Sequence, residues 1–159
     1  MLNLTSVTSL SDSAFSSLSN AVYGTVPPSV TIIPHMCFRY SGMSEIIIPE
    51  GVQRHEYRWN YRECTKLKVL VLPSTTTTVT MEFCYGDTSL VCVIIKATTP
   101  PRADTSASSM FSRASSVYRI YVPDDAVDDY KASSVWSGYS SRILGKSSLP
   151  EEYQKYWED

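Results

Sequence analysis

Charge is scarce in this chain and almost evenly split. Only 19% of the 159 residues are charged, and 14 Lys and Arg stand against 16 Asp and Glu. Lys and Arg are scattered singly, with no basic stripe alternating with aromatic residues, so nucleic acid and anionic membrane surfaces are not expected partners. Long apolar runs are missing too, and nothing approaches the roughly 18 residues that span a bilayer. The opening Met1-Leu-Asn-Leu-Thr-Ser6 has neither a basic stretch nor an apolar one, and is not expected to act as a secretory signal. Histidine is limited to His35 and His55, and the cysteines Cys37, Cys64, Cys84 and Cys92 form no C-x-x-C pair. Closely spaced zinc ligands are therefore lacking, and no metal is expected. The cysteines read as small thiols filling buried positions, with pairing between distant ones left open.

Catalytic signatures are equally sparse. There is no glycine-rich phosphate loop, no G-x-S-x-G and no H-E-x-x-H. His55 beside Glu56 reads as a solvated pair. The run Asp124, Asp125, Asp128 and Asp129 lacks the glycine turn and alternating oxygen ligands of a calcium loop, and reads as the capped start of a helix. Without convergent acid, base or nucleophile, no enzyme activity, catalytic residue or cofactor is expected.

What the chain has is a recurring phrase: apolar, two residues, apolar, one residue, apolar, then usually proline. It occurs as Met43…Ile46-Ile-Ile48-Pro49, Leu67…Leu70-Val-Leu72-Pro73 and Val117…Ile120-Tyr-Val122-Pro123, and as Leu90…Val93-Ile-Ile95 followed by Lys96. The landmarks Pro49, Pro73, Lys96 and Pro123 are 24, 23 and 27 residues apart. A fixed period of this size marks a stacked solenoid, because no single unit can bury its own apolar face. Period-two alternation turns Ile46 and Ile48 inward, and likewise their counterparts Leu70 and Leu72, Val93 and Ile95, Ile120 and Val122. Upstream of each strand stand an aromatic and a small residue, as in Tyr61 and Cys64, Phe83 and Asp87, or Phe111 and Ala114.

These phased aromatic, small, leucine and proline positions resemble the BspA-type leucine-rich repeat of surface proteins from gut and oral anaerobic bacteria and their phages. The resemblance covers about residues 14–145 and implies a right-handed, β-rich repeat solenoid with short parallel strands and one or two C-terminal helices as a cap. The expected divisions are a loosely ordered segment over 1–13, the solenoid over 14–123, a cap over 124–145 and a terminal aromatic helix over 146–159. Val127, Tyr130 and Trp136 would fold over the last coil. Lys96, the shifted Phe83 and the inserted Thr75-Thr-Thr-Thr78 depart from the pattern and bear on the register of the third coil.

The outward strand positions are unexpectedly apolar. Ile47, Val71, Ile94 and Tyr121 fall in one column, with Val69 and Arg119 in the next. Strands lie about 4.8 Å apart, so these side chains would form a continuous ridge that another protein chain, identical or different, could bury. In the tail, Leu149, Tyr153, Tyr156 and Trp157 share a helical face, suited either to the chain's own cap or to another chain. The expected binding residues are thus Ile47, Val69, Val71, Ile94, Arg119, Tyr121, Tyr153, Tyr156 and Trp157. The resemblance implies a non-enzymatic protein–protein interaction module for surface adhesion or recognition. The alternative is a structural component of a larger particle, such as a phage fibre or decoration protein. An oligomer or larger assembly is expected in either case. The location would be the cell surface or exterior if a signal peptide is removed, and otherwise the virion.

Overall fold

The computed structural model describes residues 7–20, 23–103 and 109–158. Among the described residues ten short strands run in chain order: β1 Tyr23–Thr25, β2 Ile32–Ile33, β3 Glu45–Ile47, β4 Arg54–His55, β5 Val69–Leu72, β6 Thr78–Val79, β7 Cys92–Ile95, β8 Arg102–Ala103, β9 Arg119–Val122 and β10 Ile143–Gly145. They form two all-parallel sheets, one ordered β1-β3-β5-β7-β9-β10 and the other β2-β4-β6-β8. Successive odd strands therefore lie side by side, which is the coil-on-coil geometry expected from the repeat.

The predicted shared column exists. Ile46 pairs with Leu70, Leu70 with Val93, Val93 with Ile120 and Ile120 with Ile143. All five are buried, as are Ile48, Leu72, Ile95 and Val122 one step along. Register is kept through the third coil, where Leu72 pairs with Ile95. Lys96, unlike proline, retains an N–H, and donates it to the Leu72 carbonyl at 3.0 Å. The threonine insertion is also used by the stack: the Thr75 hydroxyl donates to the Val52 carbonyl at 2.7 Å, and the Thr77 N–H to the Gln53 carbonyl at 2.7 Å.

Between the sheets, each coil turns through residues with left-handed backbone. They come in pairs four residues apart, Ser13 and Ser17, Met36 and Tyr40, Trp59 and Glu63, then Glu82 and Gly86. Such a conformation costs about 1 kcal/mol for a non-glycine residue. It is offset here because it aims backbone donors along the stack. The N–H groups of Met36, Tyr40 and Glu63 reach the carbonyls of Arg58, Arg62 and Tyr85 in the next coil, at 3.4, 3.0 and 2.8 Å. Beneath these turns the aromatic anchors pile up, with ring centroids 5.1 Å apart for Phe15 and Phe38, 5.4 Å for Phe38 and Tyr61, and 4.8 Å for Tyr61 and Phe83. Buried Asn60 ties three turns together, donating to the Pro34 carbonyl at 2.7 Å and accepting from the Thr80 hydroxyl at 2.7 Å. The first turn is part of the same stack. Leu10 packs on the core and the Ser13 N–H donates to the His35 carbonyl at 2.9 Å. The expectation for residues 1–6 lies outside the described residues.

The far end is closed by a single-turn 3₁₀ segment at Asp124–Ala126, the helix α1 at Val127–Ala132 and a second 3₁₀ segment at Ser137–Arg142. Tyr130 and Trp136 are buried, and their polar tips are satisfied by the carbonyls of Ala97 and Pro101, each at 2.8 Å. The acidic run does not cap the helix through side chains. Asp124 accepts instead from the Ser147 N–H at 3.0 Å and its hydroxyl at 2.8 Å, linking the cap to the tail. Among the described residues the tail holds a 3₁₀ turn at Lys146–Ser148 and a short helix, α2, at Glu151–Gln154.

Candidate interaction surfaces

The apolar ridge forms as expected on the outer face of the larger sheet, but it is not open to a partner. The column pairings Ile47 with Val71, Val71 with Ile94 and Ile94 with Tyr121 place the four side chains in register. Val69, Val71, Ile94 and Tyr121 are nonetheless buried, in one cluster with Cys92, Leu149 and Tyr156, and with Tyr153 and Trp157 partly buried against it. The chain's own tail is the cover. α2 and the turn after it lie across the strands, so that Leu149 and Tyr156 fill the ridge and the Tyr156 hydroxyl comes to the Glu45 carboxylate. Burial, together with that carboxylate, holds the Tyr156 phenol well above the ordinary range. Of the residues expected to meet another chain, Ile47, 40% exposed, and Arg119, which bonds the Val117 and Tyr118 carbonyls, are exposed, while Tyr153 and Trp157 are half-buried.

A different face carries the exposed aromatics. Where the turns stack, side chains from consecutive coils alternate as Tyr40, Arg39, Trp59, Arg62, Tyr85 and Arg113. The guanidinium-to-ring-centroid distances along this row are 4.5, 5.0, 5.1, 4.4 and 5.8 Å. Arg58 adds a second cation over the Trp59 ring at 5.0 Å. Tyr57 is 67% exposed and Tyr40 46% exposed. The absence of a basic–aromatic stripe in the linear sequence is thus reversed in space. One arginine or aromatic per turn is invisible along the chain, but coils about 4.8 Å apart gather them into a ladder. The visible signal was the period itself, which puts Arg39 and Arg62, and likewise Arg62 and Tyr85, 23 residues apart.

A family model for the BspA type leucine rich repeat region matches residues 2–116 in six copies. The chain belongs to the BspA-type leucine-rich-repeat family. No curated protein matches it by sequence. The strand β9, the cap and the tail lie beyond the matched region of this BspA-type repeat, although β9 and β10 continue its larger sheet without a break.

Several titratable groups inside the BspA-type coils are buried in the core. His55 is not a solvated partner of Glu56, which pairs with Arg54 at 2.6 Å. It is buried, its Nδ1 donating to the Thr78 carbonyl at 3.2 Å and its Nε2 accepting from the Tyr61 hydroxyl at 2.9 Å. Burial pushes its pKa down to about 4. The strand β4 is two residues long, and alternation turns its second side chain inward whatever its polarity. The four cysteines are free and buried, and burial raises Cys37 and Cys92 to about 12, far from a reactive thiolate. Asp87 occupies the small-residue position of its turn and accepts the Cys64 N–H at 2.8 Å. Burial lifts its carboxyl well above the usual range.

Proposed function

We propose that this protein is a non-enzymatic recognition module that engages another protein at a cell surface, in adhesion or cell-to-cell contact. The family supports a repeat module for protein interaction, and its members are usually surface-associated. Among the described residues no helix is long and apolar enough to cross a membrane. The observation that carries the reading is the turn face, where exposed Tyr40 stacks on Arg39 and exposed Tyr57 stands beside His35, whose ring also meets Trp59. Tyr, Trp and Arg dominate the few residues that supply most binding energy in protein interfaces, because they bury large area at little entropic cost.

The particle-component reading drew on the small size of the chain, the apolar ridge and the aromatic tail as assembly features. With that ridge filled by Leu149 and Tyr156 of the same chain, the ridge and the tail support it less. Two measurements test the proposal. Light scattering on the purified chain should give a monomer, and the fluorescently labelled chain should bind whole bacterial or host cells saturably. A stable high-order assembly with no cell binding would return the protein to the particle reading.

A further inference from the structure

The turn-face ladder has a composition that specifies its partner's chemistry. Its rings are already occupied: guanidiniums lie over Tyr40, Trp59 and Tyr85 at 4.4–5.8 Å from the centroids. Stacking of a sugar needs a free ring face, whereas Trp59 and Tyr85 each already carry two or more guanidiniums, and Tyr40, at the end of the row, carries one. A guanidinium stacked on a ring keeps its planar N–H edge for carboxylates, and is held in place at little further entropic cost. Among the described residues only Arg62 in the row meets a carboxylate, that of Glu82. Among the described residues Arg39 and Arg113 hydrogen-bond only neutral groups, the Met36 sulfur and the Tyr40 and Tyr85 hydroxyls, with the Glu63 carboxylate acting on Arg113 through space, and Arg58 has only the Trp59 ring. Four more nitrogens in this patch, Arg39 Nε, Arg62 Nε, Trp59 Nε1 and His35 Nε2, are sheltered without a hydrogen-bond partner. Unmet buried polar groups are rare in native proteins, because each costs about 1–3 kcal/mol.

We infer that this ladder docks an acidic segment of a partner protein, with carboxylates engaging Arg39, Arg58 and Arg113 and intervening apolar side chains lying against Tyr40 and Tyr57. This deepens the recognition reading above and rests on it. A polyanion of uniform charge, such as a sulfated glycan, fits less well, since Glu56, Glu63 and Glu82 are interspersed among the arginines. Carboxylates alternating with uncharged residues match that mixed row.

The test is fluorescence anisotropy on the full chain with a short labelled peptide of alternating Glu and Tyr, its Gln counterpart, and a sulfated oligosaccharide. The Glu peptide should bind at least about tenfold more tightly than the Gln peptide, and weaken as salt rises. Arg58→Gln with Arg113→Gln should lose about tenfold, while Arg102→Gln, on the other sheet, leaves affinity unchanged. Circular dichroism melting should show both variants folded. Equal binding of the two peptides, unchanged affinity in the double variant, or tighter binding of the oligosaccharide would each overturn the inference. So would self-association of the free chain that the double variant abolishes, since the occupant would then be the acidic cap of a second copy. If cells bind the wild type and the double variant equally, the ladder falls while the recognition reading stands. If cells bind neither but the Glu peptide binds as expected, the reverse holds.

Discussion

Protonating His55 would put a positive charge between the Tyr61 and Phe83 rings, where its two nitrogens are already committed. Its folded pKa of about 4 lies below the ordinary 6.5, so the neutral form stabilises the fold fully above pH 6.5. That stability is lost as pH falls from 6.5 through 4, by about 3 kcal/mol. Asp87, raised by burial, acts in the opposite sense, stabilising the fold more as pH falls. The contribution of His55 is therefore read as a difference: urea midpoints of wild type minus His55→Gln should shrink between pH 7.5 and pH 4.5. A constant difference would remove His55 as a titrating group. Gly42 supplies a second test. A Cβ there would overlap the Ser19 backbone, and its N–H donates to the Leu18 carbonyl at 3.1 Å. Gly42→Ala should cost about 2 kcal/mol by forcing the first two turns apart, measured as a lower denaturation midpoint.

The tail decides what the larger sheet presents. Its helix α2 is four residues long and could not persist alone, since isolated helices shorter than about 12 residues are marginal. It is held by Leu149 and Tyr156 packing on Val71, Ile94 and Tyr121, and by the Glu45 carboxylate. Burying two such side chains contributes on the order of 4 kcal/mol. Tyr156→Ala should therefore loosen the whole segment and expose Trp157, seen as faster amide exchange over 149–157 and a red-shifted tryptophan signal. Ending the chain at Ser148 should bare the ridge and shift the protein from monomer to dimer in light scattering. A truncated chain that stays monomeric and binds no hydrophobic dye would show that the ridge needs no cover.

The molecule as a whole is a one-dimensional stack, so each coil is stabilised chiefly by its neighbours. β5, β7 and β9 have a coil on both sides, whereas β1 is the sheet's outer strand at the N-terminal end. Hydrogen exchange should be slowest in β5 and β7 and fastest at β1. Leu70→Ala, in the middle of the buried column, should cost about 3 kcal/mol and destabilise the coils on both sides together. Uniform protection from β1 to β9 would contradict the nearest-neighbour picture.

Periodicity was enough to read the coil architecture and the buried column from Ile46 to Ile120. Alternation in a strand depends only on neighbours along the chain, and a repeating phrase tells equivalent positions to stack. The same logic exposed the outer ridge and the aromatic face of the tail. It did not say that one covers the other, because that contact joins residues such as Glu45 and Tyr156, distant in sequence and unrelated by the repeat. Nor did linear order reveal the arginine–aromatic ladder, whose members stand one or two to a coil and meet only across the stacking direction. Local pattern settles which way a side chain points; what it meets there depends on how the coils and the tail come together in space.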